Sequence, residues 1–345
     1  MSESEFQHAF ASLTPDTMLD AIESTGVVCS GQFLALNSYE NRVYQVGMEE
    51  GPALVAKFYR PNRWSDEAIL EEHEFTLALA DQEIPVIAPT ADESGATLHH
   101  HQGLRFALYP CRGGRPPELD DPSHLEQLGR FIGRIHMLGA SESFNHRPEI
   151  DIEHYLLRPS HYLLEHDFLP EHLLSAYQTI IKDLQQRIES CYSQAGNFTT
   201  IRLHGDCHPG NILWRDDGPQ IVDFDDTRSG PAMQDLWMFL SGDRRYMTER
   251  LADLLDGYTQ FYDFNPAELH LLEALRSLRL VHYAGWLAKR WDDPAFPAAF
   301  PWFDSVRYWE DHILTLREQL AKMDEPPLVY SSQRNMADAG RLFRL

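Results

Sequence analysis

The sequence of 345 residues lacks an apolar run approaching the ~18 residues that a membrane-spanning helix needs. Its first stretch, 1–8, has neither a basic patch nor an apolar segment, so we expect no signal peptide. Cysteine is scarce, and no C-x-x-C pair occurs among Cys29, Cys111, Cys191 and Cys207. Reduced thiols in a cytoplasmic protein are therefore expected.

Positive charge is also scarce. The chain has 29 Lys and Arg against 53 Asp and Glu, which gives a formal net charge of −24. This balance disfavours non-specific binding to nucleic acid or to an anionic membrane, so we expect neither as a partner. The charge does not by itself select a substrate, since a basic protein segment and a cationic small molecule would both be compatible with it.

Two familiar nucleotide-binding motifs are missing. No G-x-x-x-x-G-K-[ST] sequence occurs, which disfavours a P-loop enzyme. The glycine-rich loop G-x-G-x-x-G, which covers the nucleotide phosphates in protein kinases, does not occur before Lys57. The polar stretch N-S-Y-E-N-R at 37–42 stands in its place. Backbone N–H groups and the Ser38 hydroxyl are expected to reach nucleotide phosphates there.

The chain does contain H-G-D-x-x-x-x-N at 204–211, followed by D-F-D at 223–225. The spacing within the first motif is that of the protein-kinase catalytic loop. Phosphoryl transfer needs one carboxylate to position or deprotonate the hydroxyl, and an amide oxygen and a second carboxylate to hold magnesium. We therefore predict Asp206 as the catalytic base, and Asn211 and Asp223 as magnesium ligands, with Asp223 counted among the catalytic groups.

Further nucleotide contacts are predicted in the first third of the chain. Lys57 lies in an apolar strand and is expected to pair with the phosphates and with a helix glutamate. Comparison of the distance along the chain to Pro85 with that in small-molecule kinases of this shape favours Glu72 as that partner, with Glu71 as the alternative. Tyr109 and Cys111 end the last strand of this region, where backbone groups are expected to contact the adenine.

Hydrophobic periodicity predicts an α+β, two-lobed fold. Residues 1–109 are expected to form an antiparallel sheet with one helix, at 66–82, after the third main strand. Residues 110–117 are predicted to form a linker, 118–330 a helical lobe and 331–345 a loosely held tail. Helices are expected at 122–139, 171–194, 233–262, 266–291 and 305–323.

Several other polar residues have structural interpretations. Asp235 is expected to accept hydrogen bonds from the catalytic-loop backbone, and His136 to be a buried hydrogen-bonding residue. Cys207 is interpreted as a spacer rather than a nucleophile. Asp225 replaces the glycine of D-F-G and is a candidate for contact with a second metal or the substrate, whereas Asp226 is expected to be solvated.

Taken together, Lys57, H-G-D-x-H-P-G-N and D-F-D resemble the aminoglycoside phosphotransferase and choline kinase group, which shares the protein-kinase-like fold. Strings at 36–44, 57–64, 202–208 and 292–297 are similar to one bacterial branch, the serine/threonine protein kinases of stress responses. The resemblance implies ATP and magnesium as cofactors and a cytoplasmic monomer. It also implies Asp206 as proton acceptor, Asn211 and Asp223 as metal ligands, and Ser38 as an ATP contact.

Three functions are compatible with these residues. The first is a serine/threonine protein kinase, the second a small-molecule kinase of the aminoglycoside, choline or homoserine type, and the third a nucleotide-binding scaffold without turnover. Retention of Lys57, Asp206, Asn211 and Asp223 argues against the third. The shared chemistry of the first two does not separate a protein hydroxyl from a small-molecule alcohol as acceptor.

Overall fold

A computed structural model of the chain describes residue 10 and residues 12–330. Over this range it has no helix that is both long and apolar enough to cross a membrane. The predicted tail, 331–345, lies outside the described residues, and the division of the chain at 109, 117 and 330 stays a prediction.

A five-stranded antiparallel sheet forms the N-terminal lobe, in the order β1-β2-β3-β5-β4. Ala56 and Phe58 on β3 face a core that includes Met18 and Ile22 of the preceding helix α1. Because side chains alternate across a strand, Lys57 faces the opposite side of the sheet. The elements are α1 (Pro15–Glu23), β1 (Cys29–Ala35), β2 (Arg42–Met48), β3 (Leu54–Phe58), β4 (His99–His101) and β5 (Leu104–Pro110).

Helix α2 (Asp66–Asp81) follows β3, as the sequence predicts. It begins where the Ser65 hydroxyl accepts a hydrogen bond from the backbone N–H of Ala68 at 3.2 Å. Ile69 packs under the sheet, whereas Phe75 belongs to the core of the second lobe. The helix therefore connects the two cores and carries Glu72 to the side of the sheet that Lys57 faces.

The C-terminal lobe is mostly helical, which confirms the predicted fold class. Two short β-ladders interrupt the helices and enclose the motifs: β6 pairs with β9, and β7 pairs with β8. The elements are α3 (Pro122–Gly139), α4 (Arg158–Glu165), α5 (Leu174–Ala195), β6 (Ile201–Leu203), β7 (Ile212–Arg215), β8 (Gly218–Ile221), β9 (Arg228–Gly230), α6 (Met233–Leu236), α7 (Arg244–Tyr258), α8 (Leu272–Ala288), α9 (Ala295–Ala299) and α10 (Val306–Lys322).

The prediction of a single helix over 233–262 is wrong. Helix α6 ends at Leu236, a 3-10 turn follows, and Gly242 adopts a φ of +111° before Asp243 caps the start of α7. Residues with positive φ leave the right-handed helical region, so the chain turns between α6 and α7. The expected helix over 266–291 likewise begins as a 3-10 turn, and α4, α9, β7 and β9 were not predicted.

Candidate active site

The backbone of the 204–211 loop is anchored by a buried carboxylate. Asp235 accepts hydrogen bonds from the backbone N–H groups of His204, at 2.8 Å, and Gly205, at 2.9 Å, which confirms its predicted role. His136, fully buried as predicted, lies 3.1 Å from the same carboxylate. Burial alone would raise the pKa of Asp235, but the hydrogen bond with His136 and nearby donors lower it. A charged, fully partnered group therefore fixes the start of the loop.

Gly205 allows the loop to turn sharply. It adopts a φ of +84°, and a Cβ at this position would lie 2.1 Å from the carbonyl oxygen of Asp226. The Asn211 amide N–H₂ donates to the carbonyl oxygen of Asp206 at 3.0 Å, so the two ends of the motif are joined. Cys207 is buried, and burial raises the pKa of its thiol well above the ordinary value, which agrees with a spacer role.

The Asp206 side chain is 21% exposed. One of its oxygens, Oδ1, lies 2.5 Å from Nη1 of Arg279 on α8. The other, Oδ2, lies 3.6 Å from Nε2 of His208. Burial lowers the pKa of His208, and the positive charge of Arg279 lowers it further against the opposing effect of Asp206. A neutral imidazole at neutral pH leaves Arg279 as the cation beside Asp206.

Asp223 follows β8 in a left-handed conformation, with a φ of +62°, and its side chain is 56% exposed. It lies 3.3 Å from the ammonium group of Lys57, which is also 3.4 Å from Glu72 and 3.1 Å from Asp225. Burial would lower the pKa of Lys57, but the three carboxylates raise it well above its ordinary value. Lys57 is thus a fixed positive charge at the base of the cleft.

The structure places Glu72, and not Glu71, beside Lys57. The other oxygen of Glu72 lies 2.9 Å from the buried guanidinium of Arg147. Burial raises the pKa of Glu72, while Lys57 and Arg147 oppose that rise. Glu71 instead accepts hydrogen bonds at 2.6–2.9 Å from three consecutive backbone N–H groups, those of Asn145, His146 and Arg147. Adjacent glutamates on α2 therefore have separate roles.

A cavity of about 350 Å³ lies between the lobes. It brings together Ser38, Lys57, Glu72, Tyr109, Asn211 and Asp223. Neither Cys111 nor Asp206 is among its lining residues, and Asp206 is connected to the cavity through the hydrogen bond that its carbonyl oxygen accepts from the lining residue Asn211. Apolar side chains form much of the remaining wall: Leu36, Val43, Val55, Ile87 and Leu213.

Two acidic residues after Asp223 are held by arginines rather than by solvent. Arg63 forms an ion pair with Asp225 and lies 2.7 Å from Asp226, which also lies 2.7 Å from Arg228. Burial would raise the pKa of Asp225, but Arg63 and Lys57 lower it to about 2. Both Asp225 oxygens therefore face cations, and the expectation that Asp226 is simply solvated is wrong.

Sequence patterns do not indicate the roles of Arg63, Arg147 and Arg279, or the ion pairs that Glu40 forms with Arg60 and Arg290. Arg63 lies in the string at 57–64 that resembles the bacterial branch, and this similarity is its only indication in the sequence. Arg147 and Arg279 lie in no motif. Their roles depend on pairing between segments that are distant in sequence.

Comparison with known proteins gives three concordant results. The model of the phosphotransferase enzyme family (APH) matches residues 33–272. Stress response kinase A of Escherichia coli (strain K12) is 44% identical over 95% of this chain and 98% of its own length. Serine/threonine protein kinase RdoA of Salmonella typhimurium is 44% identical over 92% of this chain and 96% of its own length.

Solved structures share the fold at lower identity. Amicoumacin kinase hAmiN, solved in complex with AMP-PNP, Ca²⁺ and Ami, has a TM-score of 0.69 and 19% identity over 92% of this chain and 96% of its own. A microcompartment-associated aminopropanol kinase has a TM-score of 0.68 and 17% identity over 89% of this chain and 98% of its own. These likenesses confirm the predicted two-lobed, kinase-like fold.

Proposed function

Because the chain belongs to the phosphotransferase enzyme family, we propose that it transfers the γ-phosphate of ATP to a serine or threonine hydroxyl of a protein. The observation that supports this most directly is the convergence of Lys57, Asn211 and Asp223 on one interlobe cavity, with Asp206 joined to Asn211 by a hydrogen bond within the loop. The protein acceptor is inferred from the relatives at 44% identity, one of which is named a serine/threonine protein kinase.

In this proposal the cavity binds the nucleotide. Its apolar wall accommodates the adenine, with backbone groups at the end of β5, at Tyr109, as hydrogen-bonding partners. Lys57 is held in place by Glu72 and contacts the phosphates, and Ser38 in the turn between β1 and β2 contacts them from above. Because Lys57 is oriented by three carboxylates, little of its side-chain entropy is lost when the phosphates bind.

The oxygen donors on the cleft suit magnesium. No cluster of three or more His, Cys, Asp or Glu side chains able to hold a metal occurs in residue 10 and residues 12–330. Magnesium at phosphotransfer sites needs only one or two protein groups, because phosphate and water oxygens complete its octahedron. Asn211 and the half-exposed Asp223 provide an amide and a carboxylate oxygen on one wall. Magnesium held there would neutralise charge on the phosphates.

Asp206 acts on the acceptor. Its carboxylate orients the incoming hydroxyl and accepts the proton, while the hydroxyl oxygen bonds to the γ-phosphorus and the bond to the β,γ-bridging oxygen breaks. A loose transition state needs little early proton removal, so orientation is the larger contribution. The Asp235 and Asn211 hydrogen bonds keep the loop fixed during this step.

We further propose that the protein is a cytoplasmic monomer that acts in a bacterial stress response, in line with the name of its relatives. Residues 1–109 are proposed as the nucleotide-binding lobe, 110–117 as the connection and 118–330 as the acceptor-binding lobe. Nucleic acid and membrane are not proposed as partners, because the net charge of −24 disfavours both.

The test is incubation of the purified chain with magnesium and γ-labelled ATP, with and without a generic basic protein. We expect labelled protein, lost in Asp206→Ala with nucleotide affinity retained. Asp223→Ala should lose transfer and also bind nucleotide more weakly when magnesium is present. The exposed Asp304→Ala is the matched control. Label found only on amino alcohols, sugars or aminoglycosides would replace the protein acceptor by a small molecule, and ATP binding without any turnover would support a scaffold.

A further inference from the structure

Helix α8 places Arg279 beside Asp206 of the catalytic loop and Trp286 beside Glu40 of the N-terminal lobe. Arg279 and Tyr283 are one turn apart on it, and Trp286 follows at helical spacing. Buried residues of the same helix, such as Leu278 and Val281, pack in the core. The helix is therefore held firmly by its apolar face, and the position of Arg279 relative to the catalytic loop is set by the core of the lobe.

The catalytic loop fixes its own backbone but not the Asp206 carboxylate. Asp235, His204 and Asn211 hold main-chain atoms of the loop. No hydrogen bond from the described residues to the Asp206 side-chain oxygens is found, and their polar neighbours are Arg279 at 2.5 Å and His208 at 3.6 Å. The loop sequence between Asp206 and Asn211, C-H-P-G, contains no lysine or arginine. The cation beside the base comes from a different element.

We propose that Arg279 is a positioning residue for phosphoryl transfer, acting through Asp206; this inference rests on the proposed function. Its guanidinium fixes Oδ1 and leaves Oδ2 to meet the acceptor hydroxyl. It also offsets the repulsion between the Asp206 carboxylate and the nucleotide phosphates, which would otherwise turn the carboxylate away. The acceptor proton still goes to Asp206, and Arg279 exchanges no proton.

A positioning role and a merely structural ion pair differ in their effect on kcat: removal of a structural pair should leave kcat unchanged. Arg279 is 38% exposed, and exposed ion pairs contribute little to the free energy of unfolding. We therefore expect Arg279→Ala to leave the thermal unfolding midpoint and the KM for ATP unchanged. Its kcat should fall by about tenfold or more, the scale of lost transition-state positioning. Arg279→Lys should recover part of that loss, and added guanidinium should raise kcat of Arg279→Ala.

Arg317→Ala, which removes an exposed arginine from α10, is the matched control. Its kcat should equal that of wild type, and added guanidinium should not raise it. The inference is overturned if kcat of Arg279→Ala equals that of the control, if it rises, or if guanidinium has no effect on it. These outcomes are read against an active wild type, so they leave the proposed function intact.

A second measurement reads the contact without turnover. The side-chain Nε–H resonance of Arg279, assigned by its loss in Arg279→Lys, should shift in Asp206→Asn and stay in place in Asp304→Asn. If the chemical shift of this resonance is the same in Asp206→Asn as in wild type, Arg279 does not contact Asp206 and the inference is overturned. If the resonance shifts in Asp206→Asn as expected but the wild-type protein transfers no phosphate, the proposed function is overturned instead.

Discussion

The Glu40 carboxylate, in the turn between β1 and β2, lies 2.6 Å from the guanidinium of Arg290, which follows α8 in the other lobe. The same carboxylate accepts a hydrogen bond from the indole N–H of Trp286, and lies 3.2 Å from Nε of Arg60. Its side chain is only 12% exposed. Since Ser38 belongs to this turn, the C-terminal lobe holds the segment proposed to cover the nucleotide phosphates.

Glu40→Gln is expected to weaken ATP binding. The variant still offers an acceptor to Trp286 but loses the charge that faces Arg290 and Arg60, so the turn must be ordered when nucleotide binds. We expect the Kd for ATP, measured by calorimetry, to rise by about three- to tenfold. Glu50→Gln, in an exposed turn of the same lobe, is the control. Equal affinity in the two variants would show that the turn is positioned without Glu40.

The neighbours Glu71 and Glu72 should give separable phenotypes. Glu72→Gln removes a buried charge from beside Lys57 and Arg147, so we expect kcat to fall by about tenfold or more and stability to fall by about 3 kcal/mol. Glu71→Gln weakens the acceptor of three backbone N–H groups at 145–147 and should lower stability alone.

The comparison is made at a temperature where both variants are folded, with turnover per folded molecule and chemical denaturation as the measurements. Loss of turnover in Glu71→Gln with full activity in Glu72→Gln would reverse the assignment of the lysine partner.

The sequence predicts those parts of the site that depend on neighbours in the chain. Asp206 and Asn211 are joined by a hydrogen bond within a single loop, so their spacing in the sequence already predicts that they lie together. Helix α2 shows apolar residues at helical spacing and a serine cap, and its predicted bounds agree with the structure to within one residue. Local pattern and local structure coincide in both cases.

Contacts between distant segments leave no pattern in the sequence. Arg63 and Asp225, or Glu40 and Arg290, are brought together by packing of the two lobes, and no single-sequence pattern encodes such pairs. The short strands β7 and β9 have three or four residues, too few for a strand period to show. The break after α6 combines a 3-10 turn, an extended Leu240 and a positive φ at Gly242, and hydrophobic periodicity does not show these backbone changes.

Gly129 should be intolerant of any side chain. It lies where α3 crosses α7, and a Cβ there would meet the carbonyl oxygen of Leu254 at 1.9 Å. Gly257 has the reciprocal contact, with Glu126. We expect Gly129→Ala to lower the free energy of unfolding by about 1–3 kcal/mol, despite the better helix propensity of alanine. Gly113→Ala, where a Cβ meets nothing within 4 Å, is the control in the same denaturation experiment. Equal stability of the two variants would contradict the close crossing.

Glu268 should make stability depend on pH. It is buried and accepts a hydrogen bond from the Met233 backbone N–H at 2.9 Å, and burial raises the pKa of its carboxyl from 4.5 to about 7. Between these values the folded state binds the proton and the unfolded state releases it. Stabilisation by the protonated group is therefore complete below about pH 4.5 and is lost as pH rises through about 7.

Glu268→Gln keeps an acceptor for Met233 and cannot titrate. We expect the stability of wild type, relative to this variant, to fall by about 3 kcal/mol between pH 4.5 and pH 8, as measured by urea denaturation. The difference between the two proteins is the informative quantity, because burial lowers the pKa of His73, His282 and His312, and such groups give the opposite slope. Glu310→Gln, at an exposed position, should track wild type at every pH. A pH-independent difference between wild type and Glu268→Gln would mean that Glu268 is already charged at pH 5.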